Sequence, residues 1–214
     1  MGIFVLGLFV LGLMVIPSGG PASAGERQLR AMKAMTPLGE ALPPPGYLVF
    51  CRNQPSDCVP QDDQEVQPPR IRLDAALVAE LEQVNQLVNT MIKPVSDIDL
   101  YGEREFWAYP LREGDCEDYV LLKRQMLLNR GWPASVLLIT VVRDELGEGH
   151  AVLTVASDRG DLILDNKQNA IRPWSQTPYE YIKRQSGTDP LVWISLAPAP
   201  INPENYAGVS QKWR

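Results

Sequence analysis

From Leu73 onward the apolar positions fall into a helical rhythm. Leu77, Leu81, Val84, Leu87 and Met91 recur at spacings of three and four, Asp74 is placed to cap, and the run ends before Pro94. The pattern predicts an amphipathic helix whose apolar stripe is core. A polar and aromatic connection, SDIDLYGEREFWAYPLREG, leads to a second predicted helix from about Asp115 to Arg130, closed by Gly131 in the usual C-terminal position. Apolar, β-branched runs follow: Ser135 to Val142, His150 to Ala156 and Asp161 to Asp165, the last two joined by the turn Ser157-Asp158-Arg159-Gly160. A short helix near Tyr179 to Arg184 and a strand from Leu191 to Leu196 complete the expected plan. Helices first and strands after favour an α+β domain with helices packed on one side of an antiparallel sheet.

The N-terminal part reads differently. Ile3 to Ile16 is apolar, and no charge precedes Glu26. The run is short for a membrane span and suits the h-region of a signal peptide, while Ala22-Ser23-Ala24 fits an A-x-A cleavage site before Gly25. The segment before the run carries no Lys or Arg, so an uncleaved anchor or a misassigned start stays open. The expected organisation is a signal peptide over 1–24, an extended Pro-rich arm over 25–72 and a folded domain over 73–214. The arm contains Pro43-Pro44-Pro45-Gly46 and Pro68-Pro69.

Composition narrows the partners. The 214 residues carry 26 Asp and Glu against 20 Lys and Arg, a net charge of -6, which offers no electrostatic footprint for nucleic acid or anionic lipid. Two of the three cysteines, Cys51 and Cys58 in FCRNQPSDCVP, suit a small disulfide-closed loop in an exported protein. Cys116 is left over. A lone cysteine is usually core, but this one stands in the first turn of the second predicted helix, where unpaired N–H groups and the dipole favour a thiolate.

His150 is the only histidine and opens a strand after the flexible Gly147-Glu148-Gly149. A lone histidine is more often a surface or core residue than a catalyst, so its neighbours decide. A two-residue turn centred on Asp158 and Arg159 sets Asp165 opposite Val152, making His150 and Asp165 diagonal neighbours on one face at a backbone separation of about 7 Å. Cys116, His150 and Asp165 are then the parts of a cysteine nucleophile system: a nucleophile, a base that takes its proton, and a carboxylate that fixes the imidazole tautomer. The backbone N–H of Cys116 is placed to help hold an oxyanion.

The segments GDCEDYVLLKRQMLL, GHAVLTV and LILDN resemble the bacterial transglutaminase-like cysteine peptidases, a family that includes periplasmic adhesin-releasing proteases. The FCxxxxxxC element, the FWAYP segment around Trp107 and YEYIKRQSGTDPLVWISL extend the resemblance over nearly all of the chain after residue 24. It implies a papain-like core with a Cys-bearing helix packed on a sheet carrying His and Asp, and it places the family's catalytic residues on Cys116, His150 and Asp165. It also implies calcium dependence, a periplasmic location, a large surface adhesin as substrate whose cleavage releases cells from biofilm, and an inner-membrane cyclic-di-GMP receptor that sequesters the protease.

Asp115, Glu117 and Asp118 crowd the nucleophile with negative charge, which raises a thiol pKa and opposes the helix dipole. A bound cation resolves that conflict. Acidic residues flanking the cysteine in the calcium-dependent members match Asp115 and Glu117. Asp97, Asp99 and the carbonyl of Tyr101 offer alternate oxygen ligands in a D-x-D-x-Y arrangement, with Asp118 a further candidate. The plain readings are a helix N-cap for Asp115 and first-turn dipole complements for Glu117 and Asp118. Trp107 and Trp132 are expected in the core, and Lys123, Arg124 and Arg130 toward the helix C-terminus need no binding role. One His and one unpaired Cys lack the ligand spacing of a zinc site.

The expected activity is an exported, calcium-dependent cysteine endopeptidase. A transglutaminase-like acyl transferase uses the same three side chains, and a non-catalytic calcium-dependent binding module is the third alternative.

Overall fold

The computed structural model describes Gly2, residues 34–60 and residues 70–198. The expected signal peptide lies outside these, Gly2 apart. Among the described residues no helix is long and apolar enough to cross a membrane.

In chain order the strands are β1 (Gly39–Ala41), β2 (Lys93–Pro94), β3 (Glu113–Gly114), β4 (Leu137–Arg143), β5 (Gly149–Ser157), β6 (Gly160–Leu164), β7 (Arg172–Pro173), β8 (Glu180–Gln185) and β9 (Trp193–Ser195). The helices are α1 (Pro45–Asn53), α2 (Ala75–Met91), α3 (Asp97–Leu100) and α4 (Cys116–Leu128). Seven strands form one antiparallel sheet in the order β1-β9-β8-β4-β5-β6-β7, and β2 and β3 make a short parallel pair that leads into α4. The protein is therefore α+β, as the order of elements predicts.

The two main helices form where the periodicity places them. Asp74 caps α2 by accepting the Leu77 N–H at 2.8 Å, and the buried face of α2 carries Leu81, Val84, Asn85 and Val88. Helix α4 packs against β5 and α2 and is buried on more than one side, which its weak apolar periodicity does not announce. Gly131 closes it with φ +89°, a conformation that suits glycine.

Alternation along β5 divides the core. Ala151, Leu153 and Val155 join the large cluster beneath the helices, whereas Val152 packs on the other face with Val142, Ile163, Tyr181 and Met35. The β5–β6 hairpin turns at Asp158 and Arg159 with Ser157 opposite Gly160 and Leu153 opposite Leu164, the predicted register.

Two expectations change. Tyr179 to Arg184 is not helical: residues 180–185 form β8, a central strand between β4 and β9. Sheet pairing on both sides overrides the local preference of this tyrosine- and lysine-containing stretch. The described part of the 25–72 segment is also not simply extended. β1 pairs with β9, and α1 starts with Pro45 in its first turn, where proline is favoured, and buries Tyr47, Phe50 and Cys51. Cys51 and Cys58 are joined by a disulfide.

Candidate active site

Cys116 opens α4, directly after β3, and His150 stands near the start of β5. Both line one cavity of about 300 Å³, together with Pro94, Ile98, Asp115 and Lys167. The Cys116 thiol donates to Glu117 Oε2 at 3.1 Å. Burial pushes the thiol well above the usual cysteine range, and the charges of Glu117 and Asp115 push in the same direction. The backbone N–H of Ala151, next to His150, works against them by favouring the thiolate.

His150 is buried, and its Nε2 lies 2.9 Å from Asp165 Oδ1. With Nε2 engaged by the carboxylate, proton exchange with the cavity falls to Nδ1. Asp165 follows β6 by one residue, and its carboxylate is fully engaged. Oδ1 also accepts the Lys167 N–H at 2.9 Å, and Oδ2 accepts the Tyr179 hydroxyl at 2.5 Å. Burial pushes Asp165 up, but the hydrogen bond and charge of His150 and the bond from Tyr179 outweigh it and hold the group below the usual carboxylate range. The backbone of Asp165 is tied to α2: Asn85 Oδ1 accepts its N–H at 3.1 Å and Asn89 Nδ2 donates to its carbonyl at 2.9 Å.

Tyr179, Lys167, Asn85 and Asn89 were not singled out by the sequence. Asn85 had a legible signal, a carboxamide inside the apolar stripe between Val84 and Val88. Tyr179 had none, because strand β8 and the chain entering it are placed by long-range pairing. Its ring packs edge-on to His150 at 5.5 Å between centroids.

The acidic residues separate into two groups around Asp115. Asp97, Asp115 and Asp118 offer carboxylate oxygens within 4.8 Å of one another. Asp97 Oδ2 accepts the Phe106 N–H, and Asp118 Oδ1 accepts the Ala108 N–H at 2.9 Å, so the 101–112 connection is pinned by these two carboxylates. The remaining oxygens, Asp97 Oδ1, Asp118 Oδ2 and Asp115 Oδ1, are buried with no hydrogen-bond partner among the described residues. Burial raises Asp97 to about 6 and Asp118 to about 8, with Asp115 adding to both. Three converging carboxylates, each with one oxygen left unpartnered, fit a calcium ion. Asp115 stands at the N-cap of α4 yet its side chain makes no capping bond; its Oδ2 instead accepts the Asp97 N–H at 3.3 Å.

Glu117 belongs to the second group, with Asp115 and Cys116, against the thiol. Asp99 is not brought in. Asp97–Leu100 is a helical turn, on which residues two apart do not share a face, and Asp99 instead accepts the Ser96 hydroxyl at 2.6 Å. Tyr101 follows that turn; burial raises its phenol, the charges of Asp118, Asp97 and Asp115 add to that, and its ring packs on Phe106 at 4.5 Å between centroids. Trp107 and Trp132 are core residues: Trp107 packs edge-on to Tyr47, and Trp132 Nε1 donates to Glu80 at 2.8 Å.

No curated protein matches the chain. Among solved structures, calcium-bound LapG of Legionella pneumophila is similar at 21% identity over 64% of this chain and 81% of that one, with a TM-score of 0.48. The EGTA-treated form of the same protein is similar at 25% identity over 54% of this chain and 66% of that one, with a TM-score of 0.47. The model of the bacterial transglutaminase-like cysteine proteinases matches residues 38–200, a span that holds every strand and helix described above, the Cys116 cavity and the His150–Asp165 pair. The chain belongs to that family and is a cysteine peptidase.

Proposed function

We propose that this chain is an exported, calcium-dependent endopeptidase in which Cys116 is the nucleophile, His150 the general base and acid, and Asp165 the group that orients the imidazole. The observation that carries the reading is the His150 Nε2 to Asp165 Oδ1 contact of 2.9 Å on a ring that shares its cavity with a cysteine at a helix N-terminus. In the first step the Cys116 proton passes to His150 Nδ1 as the sulfur attacks a peptide carbonyl carbon. Negative charge developing on the carbonyl oxygen is met by N–H groups at the start of α4, among them that of Cys116. Collapse of the adduct breaks the C–N bond, His150 returns the proton to the departing amine, and a thioester remains on Cys116. Water, deprotonated by His150, then attacks the thioester and restores the thiol.

Calcium would be held by Asp97, Asp115 and Asp118, and its chemistry there is to neutralise the cluster, including Asp115, whose charge otherwise opposes the thiolate. Glu117 is left free of that cluster to accept the thiol proton bond in the resting state. Similarity of the GDCEDYVLLKRQMLL segment to adhesin-releasing members supports the N-terminal region of a large surface adhesin as substrate, with biofilm release as the outcome. The same similarity supports an inner-membrane cyclic-di-GMP receptor as the sequestering partner. The apolar Ile3 to Ile16 run and the A-x-A site support export to the periplasm.

The test is cleavage of a recombinant adhesin N-terminal region with calcium, with chelator, and with Cys116→Ala. Calcium-dependent fragments that vanish with the variant are expected. Intact substrate under all three conditions, with Cys116 inert to a thiol-directed inhibitor, overturns the reading.

A further inference from the structure

A second cavity, of about 320 Å³, opens where the turn after α1, the last turns of α4, the start of β4 and the connection from β8 to β9 meet. It shares no lining residue with the Cys116 cavity. Leu128, Trp132, Pro133, Leu138 and Pro190 are in its wall, so a small apolar body has surface to pack on. Arg124 is also in the wall, about 12 Å from Cys116 along the axis of α4.

Arg124 is only 8% exposed, and a guanidinium taken out of water is costly unless its charge is met. Among the described residues it makes no ion pair, and its one hydrogen bond runs from Nε to the Leu137 carbonyl at 3.1 Å. The N–H groups of Nη1 and Nη2 are left without a protein acceptor there. The other polar side chains of the wall are turned to their own partners. Asp57 accepts the Tyr109 hydroxyl at 2.8 Å. Gln185 donates to the Tyr47 hydroxyl at 2.7 Å and accepts the Ile139 N–H at 3.0 Å. Ser186 is hydrogen-bonded to Thr188 at 2.9 Å.

We propose that this cavity is a second binding site, which takes a carboxylate carried on an apolar body the size of one or two amino-acid residues. The planar guanidinium presents paired N–H groups that match a carboxylate bidentately. Arg124 is the one cation among the lining residues, and Asp57 stands on the same wall, so the charge the site can desolvate is a single negative one. A phosphate dianion would face that carboxylate with no second cation to balance it. A peptide C terminus and a short fatty acid share the required chemistry. The site is separate from the catalytic triad, and its failure would leave the triad reading untouched.

The test titrates N-acetyl-L-leucine, its C-terminal amide, hexanoate and inorganic phosphate into ¹⁵N-labelled protein. Cys116, the one free cysteine among the described residues, is first capped with iodoacetamide so that the catalytic cavity is filled. The reporter is the indole N–H cross-peak of Trp132, a lining residue, assigned with Trp132→Phe. Saturable shifts with the two acids, and none with the amide or phosphate, are expected; the tighter acid names the source of the ligand. Arg124→Met is expected to weaken acid binding by about tenfold or more. If that variant does not fold, Asp57→Asn removes the like charge and is expected to tighten acid binding by about twofold to fivefold. Equal shifts with acid and amide, phosphate bound as tightly as the acids, or no shift with either acid overturns the proposal. So does acid binding that Arg124→Met leaves unchanged or that Asp57→Asn fails to tighten.

Discussion

Asp165 follows directly on Leu164, which pairs with Leu153 at the end of the β5–β6 ladder, and its carboxylate meets the ring of His150, three residues from Leu153 along β5, at 2.9 Å. The contact is diagonal across the hairpin and leaves Nδ1 for the cavity. Asp165→Asn keeps the shape but puts an N–H or a neutral oxygen against Nε2, so the tautomer is no longer fixed. Activity is expected to fall by about 10³- to 10⁴-fold with little change in KM. Tyr179→Phe removes one of the bonds to Asp165 and is expected to cost about tenfold in kcat, checked by steady-state kinetics on the same substrate.

Cys116→Ala is expected to abolish cleavage and labelling by thiol-directed inhibitors while the fold persists. Circular dichroism and Tm decide whether the loss is chemical. Unfolding of this variant would mean that the thiol is a structural element of the core, contrary to its place on a cavity wall.

The carboxylates make calcium binding and stability depend on pH in a defined direction. Asp97 and Asp118 titrate near 6 and near 8 in the folded chain against an ordinary 3.8. Between about pH 4 and pH 8 the folded state therefore holds protons that the unfolded chain has released, and metal-free stability falls as pH rises. A cation among the three carboxylates removes that penalty. The gap in Tm between calcium and chelator is expected to widen from pH 5 to pH 8 and to collapse in Asp118→Asn. A gap that narrows with rising pH rules out this site.

Gly114 gives a steric test of the same cluster. A Cβ there would lie 2.5 Å from Asp118 Oδ2 and 2.8 Å from Asp118 Cβ. Gly114→Ala must displace Asp118, so weaker calcium affinity by isothermal titration and a loss of about 1–3 kcal/mol in stability are expected. Unchanged affinity would remove Asp118 from the ligands.

Asn85 ties α2 to the segment from Asp165 to Asn169, accepting from Asp165 and donating to the carbonyls of Gln168 and Asn169 at 2.9 and 3.0 Å. Asn85→Leu leaves the Asp165 N–H unpaired in a buried setting and is expected to destabilise by about 1–3 kcal/mol. It should also lower kcat more than it changes KM, because the displaced group is the one proposed to orient the base. Equal losses in both would assign Asn85 to folding alone.

Whether the proposed thioester is released by water or by an amine is read by incubating a protein substrate with a fluorescent primary amine. New fragments without covalent label are expected. Label without fragments would make the chain an acyl transferase.

The sequence by itself determined the elements whose information is local: α2 from its spacing and cap, the ends of α4 from Asp115 and Gly131, and the β5–β6 hairpin from a two-residue turn between alternating runs. Because a strand's side chains repeat every two residues, that turn alone sufficed to place His150 and Asp165 on one face. What only the tertiary structure decided depends on contacts between distant segments. Residues 180–185 became a strand because β4 and β9 offer partners on both sides. Tyr179 reached Asp165 through that placement, and Asp97 joined Asp115 and Asp118 while Asp99, two residues along one helical turn, could not. Lys123 read as an ordinary cation on a helix until packing enclosed it. Burial and long-range pairing are sums over the whole chain, and no short window of residues contains them.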